Sequence, residues 1–446
     1  MIRYPKYRES GAQWMGSIPE HWNVSKLVWL LEHITTGLNP RANFKFIENG
    51  DYYYVTIANF KDGQLFLDEK CDRIDEAAWN VIQKRSDLQV GDILFASISK
   101  DGQAYVVSEF PSNWNINESV FKLRFKKDVI MPRFAYYILT NEAYYNELRK
   151  NATGSTFQSI KQNKLKLSSI PVPPLAEQNA IAEYLDDKTA KIDECIKLLE
   201  LQKLDILKFH DAVISETITL GLDRQVNLKD SGLRFVGMIP RDWEVKQIKN
   251  VATFHNGDRG VNYPSGNDLV DSGVPFLTSN NLHQLILDVD NAGCKFITRE
   301  RYDILGGAKI QINDIVYCLR GSVGNCSLNK QLTEGTVASS LMVIRPTDIV
   351  PEYLNYLLHS DIIKNQTNVN MNGTCAANLS ADNVSRYKIP VPPVSEQKDI
   401  VDSLNKKTAK IDEAIRRIDE QINDLRAYRT ALISEVVSGK IDVRNN

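Results

Sequence analysis

Six histidines are spread through this 446-residue sequence, at His21, His33, His210, His255, His283 and His359. No two stand at a spacing that metal or proton-transfer chemistry uses. An HExxH helix would set two imidazoles on one face to hold zinc, and none is present. There is no GxSxG elbow to present a serine, and no GxGxxG after a strand. A phosphate loop needs GxxxxGK[ST], so that backbone N–H groups and a lysine cradle the phosphates. RGSVG at 320–324 has too few glycines and lacks the lysine. The [DN]PP[YW] tetrapeptide of amino-methyltransferases is missing, because the two PP pairs are followed by Leu175 and Val394. Paired carboxylates such as Asp186–Asp187 fall on a helix flank, where solvation is the expected role. The cysteines (Cys71, Cys195, Cys294, Cys318, Cys326, Cys375) show no CxxC spacing and no histidine pairing, and are expected as free thiols in a reducing compartment. These side chains point to binding, not to catalysis.

What positions them is a duplication. IPVPPLAEQ at 170–178 returns as IPVPPVSEQ at 389–397, and KTAKIDE at 188–194 returns unchanged at 407–413. Between Ile170 and Ile196, 17 of 27 positions match their partners, so one block has been repeated in register. A second echo precedes each block, SGAQWMGSIPEHW at 10–22 and SGLRFVGMIPRDW at 231–243. The stretches between the echoes have diverged almost completely.

The repeated stretches read as long helices. Pro173–Pro174 and Pro392–Pro393 suit a strand end just before a helix, and Glu177 and Glu396 then fall in the first turn, favoured by the helix dipole. Gly221 and Gly439 close the runs. Apolar residues recur every seven positions, at Leu185, Ile192, Leu199, Ile206 and Val213, and again at Leu404, Ile411, Ile418, Leu425 and Leu432. Such a seam predicts two coiled-coil helices packed antiparallel on each other. The diverged stretches carry short β-rich runs, YYYVTIANF (52–60) and VPFLTSNNL (274–282), with GDILFASISKDG (91–102) and NDIVYCLRGSVG (313–324) in comparable places. FAYYILTN (134–141) and LNYLLHSD (354–361) predict matching short helices. The expected fold is α+β: two mixed α/β domains separated by two long antiparallel coiled-coil helices, a pseudo-twofold internal repeat. The boundaries are a first domain over 1–169, a first spacer helix over 170–221, a second domain over 222–388, and a second spacer helix with tail over 389–446.

With 43% apolar and 25% charged residues, the composition is that of a soluble globular chain. No apolar run approaches 18 residues and the N-terminus lacks an apolar signal core, so a cytoplasmic location is expected. A net charge of −2 carries no argument for a polyanionic partner.

The order SG-x-x-(W/F)-x-G-x-IP-x-x-W, a variable domain, then IPVPP-x-x-EQ-x-x-I and a long helix ending ISE, twice over, resembles the specificity subunit of type I restriction–modification systems. The match spans essentially the whole chain, including GLDRQVNLKDSG at 221–232 and GKIDVR at 439–444. The resemblance implies a DNA-reading subunit without catalysis of its own, whose two target-recognition domains each read half of a bipartite, asymmetric site. It implies two adenine-methylating modification subunits as partners, and restriction subunits in the full complex. S-adenosylmethionine, ATP and magnesium are expected on those partners, with no cofactor and no metal in this chain, and no membrane.

Base edges are read best by Arg, Lys, Asn and Gln, with Ser and Thr less selective. Within that reading the first domain's DNA contacts are expected at Asn39, Arg41, Asn43, Thr56, Asn59, Ser99 and Lys100. The second domain's are expected at Asn256, Arg259, Ser279, Asn280, Asn281, Arg320 and Ser322. Ser155, Thr156 and Thr374, beside Gly154 and Gly373, are candidate phosphate clamps. The repeated helices are expected to dock the modification subunits through Glu177, Gln178, Lys188, Lys191 and Asp193 and their equivalents Glu396, Gln397, Lys407, Lys410 and Asp412.

Overall fold

The computed structural model describes residues 2–444 except 42, 62, 100–101, 151–158, 284, 290–292 and 371–378. The chain divides into two compact units, Met1–Glu200 with Glu420–Asn446, and Leu201–Asp419.

The first unit is built on a four-stranded antiparallel sheet of β1 (Leu31–Thr36), β2 (Ile93–Ala96), β3 (Ala104–Val106) and β4 (Val120–Phe125), in the order β3-β2-β4-β1. All four residues of β2 are buried, because the alternating side chains of a strand meet a core on each face. Ile93 and Phe95 enter the large cluster shared with the helices, while Leu94 enters a smaller cluster with Val55 and Ile116. That smaller cluster lies under a second, three-stranded sheet centred on Tyr52–Val55, which pairs parallel with Trp114–Ile116 and antiparallel with Asp72–Ile74.

The first long helix, α1 (Leu175–Leu220), follows the strand Ser169–Val172, as the double prolines require. Two inward polar groups tie the domain to its start. Gln178 accepts from Met131 N–H (2.8 Å) and donates to the carbonyls of Val129 (3.0 Å) and Pro173 (2.8 Å). Glu177 accepts from the Trp22 indole (3.0 Å) and the Tyr4 hydroxyl, and pairs with His21 (2.9 Å).

The second unit repeats this plan despite the diverged sequence. Its sheet is β5 (Ala252–Asn256), β6 (Ile315–Cys318), β7 (Cys326–Leu328) and β8 (Leu341–Pro346), in the order β7-β6-β8-β5. Its small sheet centres on Val274–Leu277, again with one parallel neighbour, Thr336–Val337. Gln397 accepts from Val350 N–H (2.8 Å) and Glu396 accepts from the Trp243 indole (3.0 Å), as Gln178 and Glu177 do in the first unit. A buried ion pair is duplicated too: Arg124 to Asp92 and Arg345 to Asp314, each at 2.8 Å.

The second long helix, α2 (Val394–Val437), runs antiparallel to α1 within each unit. In the first unit Asp193 pairs with Arg429 (2.9 Å) and Glu200 with Arg426 (3.1 Å). In the second, Lys203 pairs with Asp419 (2.6 Å) and His210 approaches Asp412 (4.0 Å). Rising numbers on α1 meet falling numbers on α2. These exposed pairs contribute little energy, about 0–1 kcal/mol each; the seam holds the helices. Leu185, Ile192, Leu404, Ile418 and Leu432 are buried as the heptads predict, while Leu199, Ile206, Val213, Ile411 and Leu425 are half-buried.

Each long helix passes from one unit to the other, at Glu200/Leu201 or Asp419/Glu420. The reason is packing: Ile181, Leu185 and Ile192 of α1 lie in the first unit's core, whereas Ile214 and Ile218 lie in the second's. The C-terminal tail likewise belongs to the first unit. Ile441 and Val443 join its core, Asp442 N–H donates to Ile2 (2.9 Å), and Arg444 lies over the Tyr4 ring at 4.9 Å.

Candidate nucleic-acid interface

Strand direction brings distant loops to one end of each domain. β1 and β2 are both antiparallel to β4, so their C-terminal ends lie at the same edge, beside the start of β4: Phe121 pairs with Thr36, and Val120 with Ala96. Val55, at the end of the small sheet's central strand, pairs with Ile116 just before β4 begins. The loops that follow Thr36, Val55 and Ala96 therefore gather at one end. The opposite end, where β4 finishes at Phe125, leads directly to Met131 and its anchor on Gln178. The second unit has the same polarity, with Met342 of β8 opposite Asn256, and Leu341 opposite Cys318. One end of each domain is thus fixed to the helices and the other carries polar turns.

In the second unit this end is concave. A cavity of about 890 Å³ is lined by Asn256, Arg259 and Arg320 together with Gly257, Gly307, Ser380, Asp382 and Asn383. Three of the sequence-expected contacts thus share one site, and Arg259 and Arg320 are exposed there. Ser380, Asp382 and Asn383 were not singled out from sequence; they lie 60 or more residues from Arg320, and no local pattern marks them. Ser279 and Asn280 stand in the 3-10 turn Ser279–Asn281, with Asn280 exposed, and Ser322 is exposed in the turn after β6. In the first unit Arg41 and Asn43 are exposed, and the Asn43 amide donates to the Asn39 carbonyl (2.9 Å). Lys100, Ser155, Thr156 and Thr374 lie outside the described residues.

Several of these polar groups are committed to the fold. Asn59 accepts from Thr56 N–H (2.8 Å) and Thr56 hydroxyl (3.1 Å), and its amide donates to the Phe66 carbonyl (3.3 Å) and the Cys71 sulfur (2.9 Å). Asn281 accepts from Thr278 N–H (2.8 Å) and is 3% exposed. Each asparagine closes a capped turn, so neither Asn59 nor Asn281 presents its amide to a ligand in this conformation, and Thr56 is a cap. Ser99 is also a turn-former: its hydroxyl accepts from Gly102 N–H (2.8 Å) and Gln103 N–H (3.2 Å).

The expected docking residues divide in the same way. Glu177, Gln178 and Gln397 are buried anchors, at 5%, 0% and 1% exposure, and Glu396 is half-buried against Trp243. Their sequence identity is accounted for by attaching a domain to a helix. Lys191, Asp193, Lys407, Lys410 and Asp412 are exposed on the helices, and Lys188 is half-buried with its ammonium 5.5 Å from the Tyr184 ring.

One cysteine–histidine pair does form, which spacing did not reveal. The Cys326 sulfur lies 3.5 Å from His359 Nδ1. Burial pushes the Cys326 thiol far up and His359 down, so both groups are neutral and no thiolate–imidazolium couple exists. Peptide-level alkylation at pH 8 is expected to label exposed Cys195 in the folded chain and Cys326 only after unfolding. Labelling of both at one rate would show that the Cys326 site opens. Among the described residues no three His, Cys, Asp or Glu side chains are grouped to hold a metal, and no helix is long and apolar enough to cross a membrane.

With this geometry in place, comparison with known proteins is specific. The profile of the type I restriction modification DNA specificity domain matches twice, at residues 19–205 and 240–424. The chain is 26% identical over 445 residues to the type I restriction enzyme MjaX specificity subunit of Methanocaldococcus jannaschii, covering 96% of each. It is 23% identical to the EcoKI specificity subunit of Escherichia coli K12, covering 95% of this chain and 89% of that one. A solved chain from a study of complex assembly and conformational transition in the type I R-M system shares the fold, with a TM-score of 0.68 at 16% identity, over 95% of this chain and 99% of that one.

Proposed function

The chain belongs to the type I restriction modification DNA specificity family, with two copies of its recognition domain, and from that premise we propose that it reads a bipartite, asymmetric DNA site and docks two modification subunits. One observation carries the reading: two domains of one topology, each anchored at one end to the same two helices, present different polar side chains at the other end. Different readers on matched scaffolds suit two different half-sites, as paired DNA readers suit spaced half-sites. The helices suit a spacer, at about 65–70 Å for 46 and 44 residues.

Docking is supported by the exposed part of the repeat. Once the buried anchors are set aside, Lys191 and Asp193 and their copies Lys410 and Asp412 remain identical and exposed, while Lys407 is exposed and its copy Lys188 is half-buried. Duplicate surfaces suit two copies of one partner. Restriction subunits would join through that assembly. S-adenosylmethionine, ATP and magnesium would be bound by the partners, and methyl transfer to adenine would be theirs.

The purified chain alone is expected to methylate no DNA. With its modification subunit it is expected to direct adenine methylation to one bipartite sequence. Methyl transfer by the lone chain, or methylation without a bipartite preference in the complex, would overturn the proposal.

A further inference from the structure

We infer that the half-site read by the second domain contains a guanine contacted in the major groove by Arg320, with Arg259 beside it; this rests on the DNA-reading function proposed above. The two domains can be placed in register at their polar ends. Gly37 and Gly257 each lie where a β-carbon would strike backbone, at 1.6 Å from the Ile116 oxygen and 2.2 Å from the Ala338 oxygen. Each donates its N–H to the segment before the following strand or its first residue, Gly37 to Asn117 and Gly257 to Leu341, both at 3.1 Å. Two residues on, the first domain has Asn39 where the second has Arg259. The strands Ile93–Ala96 and Ile315–Cys318 give the other register. It is held by Ile160 N–H to the Ser97 carbonyl (2.8 Å) and by Leu379 N–H to the Leu319 carbonyl (3.0 Å). On that register Ile98 stands where the second domain has Arg320.

Two guanidinium groups are therefore particular to the second domain's cavity. A guanidinium fork matches the O6 and N7 acceptors of guanine, a pattern that no other base presents in the major groove. Arginine could instead hold phosphate, and the charge-conserving variant below separates the two roles. Gly257 and Gly307 also line the cavity, and a β-carbon on Gly307 would lie 2.5 Å from the Asp258 nitrogen, so the backbone packs too closely there for a side chain. Arg259 is aimed by its Nε donating to the Ser339 carbonyl (3.3 Å).

The test is selection from a randomised duplex library by the full chain with its modification subunit, for wild type, Arg320→Ala and Arg320→Lys. Wild type is expected to select a bipartite sequence with a G·C pair in the second domain's half. Both variants should lose preference at that pair by about 10- to 100-fold and keep the other half intact. Arg320→Lys keeps the charge and so the general attraction to phosphate, which separates lost readout from lost folding. A second half-site without G·C, or a uniform loss of affinity in Arg320→Ala with the preference retained in Arg320→Lys, would overturn the inference while leaving the DNA-reading function standing. Absence of any bipartite sequence in wild type would overturn both.

Discussion

Exchanging residues 23–169 for the first domain of another family member is expected to replace one half of the recognised sequence and leave the other half unchanged. The effect is large because each base pair in a half-site contributes about 1–3 kcal/mol of discrimination, and all of the first domain's pairs change together. The structure says where to cut. Asn23–Lys26 pairs with Ser169–Val172, so both ends of the exchanged segment lie on one two-stranded ladder. Trp22 and Glu177, which meet at 3.0 Å, stay outside it and continue to hold the graft to the helix. The incoming domain must supply both partners of Gln178 from this segment, an N–H in the place of Met131 and a carbonyl in the place of Val129. Sequencing of methylated adenines in cells carrying the exchanged chain measures the outcome. If both halves of the site change, the two domains do not read independently and the two-reader proposal is wrong.

Arg345→Leu is expected to destabilise the second unit by about 3–5 kcal/mol, a large share of the 5–15 kcal/mol that holds a typical protein together. Asp314 is 1% exposed, and its carboxylate accepts two hydrogen bonds from Arg345 at 2.8 Å and one from Gln311 N–H at 2.7 Å. The same pairing holds Arg345 above its ordinary range. Removing the guanidinium leaves a charge in the interior with one backbone donor, and most of the cost is that unpaired charge. Replacing both partners, Asp314→Leu with Arg345→Leu, should therefore recover much of the loss. Hydrogen exchange resolved by peptide would show lost protection in 201–419 with the first unit spared. Arg124→Leu should do the converse through Asp92, which is also 1% exposed. A loss below about 1 kcal/mol would mean that water reaches the carboxylate and the pair is not structural.

Much of the plan is legible in the residues. The repeat, the strand-then-helix reading at the double prolines, the helix ends at Gly221 and Gly439 and the antiparallel seam all come from local patterns: prolines cannot sit inside a helix, and apolar side chains spaced by seven share one face. Paired elements within the diverged domains were also recognisable, because a buried strand such as Ile93–Ala96 or Ile315–Cys318 needs an apolar run whatever the neighbouring residues are. The identity of Glu177, Gln178 and Gln397 was visible, but its meaning was not. A residue kept for a partner and one kept to anchor a domain look the same in a chain, and only burial separates them. Asn59 and Asn281 carry a related ambiguity: an amide suited to a base edge is equally suited to closing a turn.

The sequence by itself determined that there are two scaffolds of one kind, joined by two helices that pack along a seam, since these follow from periodicity and repetition along the chain. Only the tertiary structure decided which polar groups are exposed together. Arg259 and Arg320 line one cavity because β5 and β6 finish at the same end of a sheet, and sheet order is a long-range property that no local spacing encodes. It also decided that the two compact units divide within the helices and that the tail from Lys440 to Arg444 completes the first unit, because burial of side chains such as Ile441 and Val443, not the order of segments, sets where a core closes.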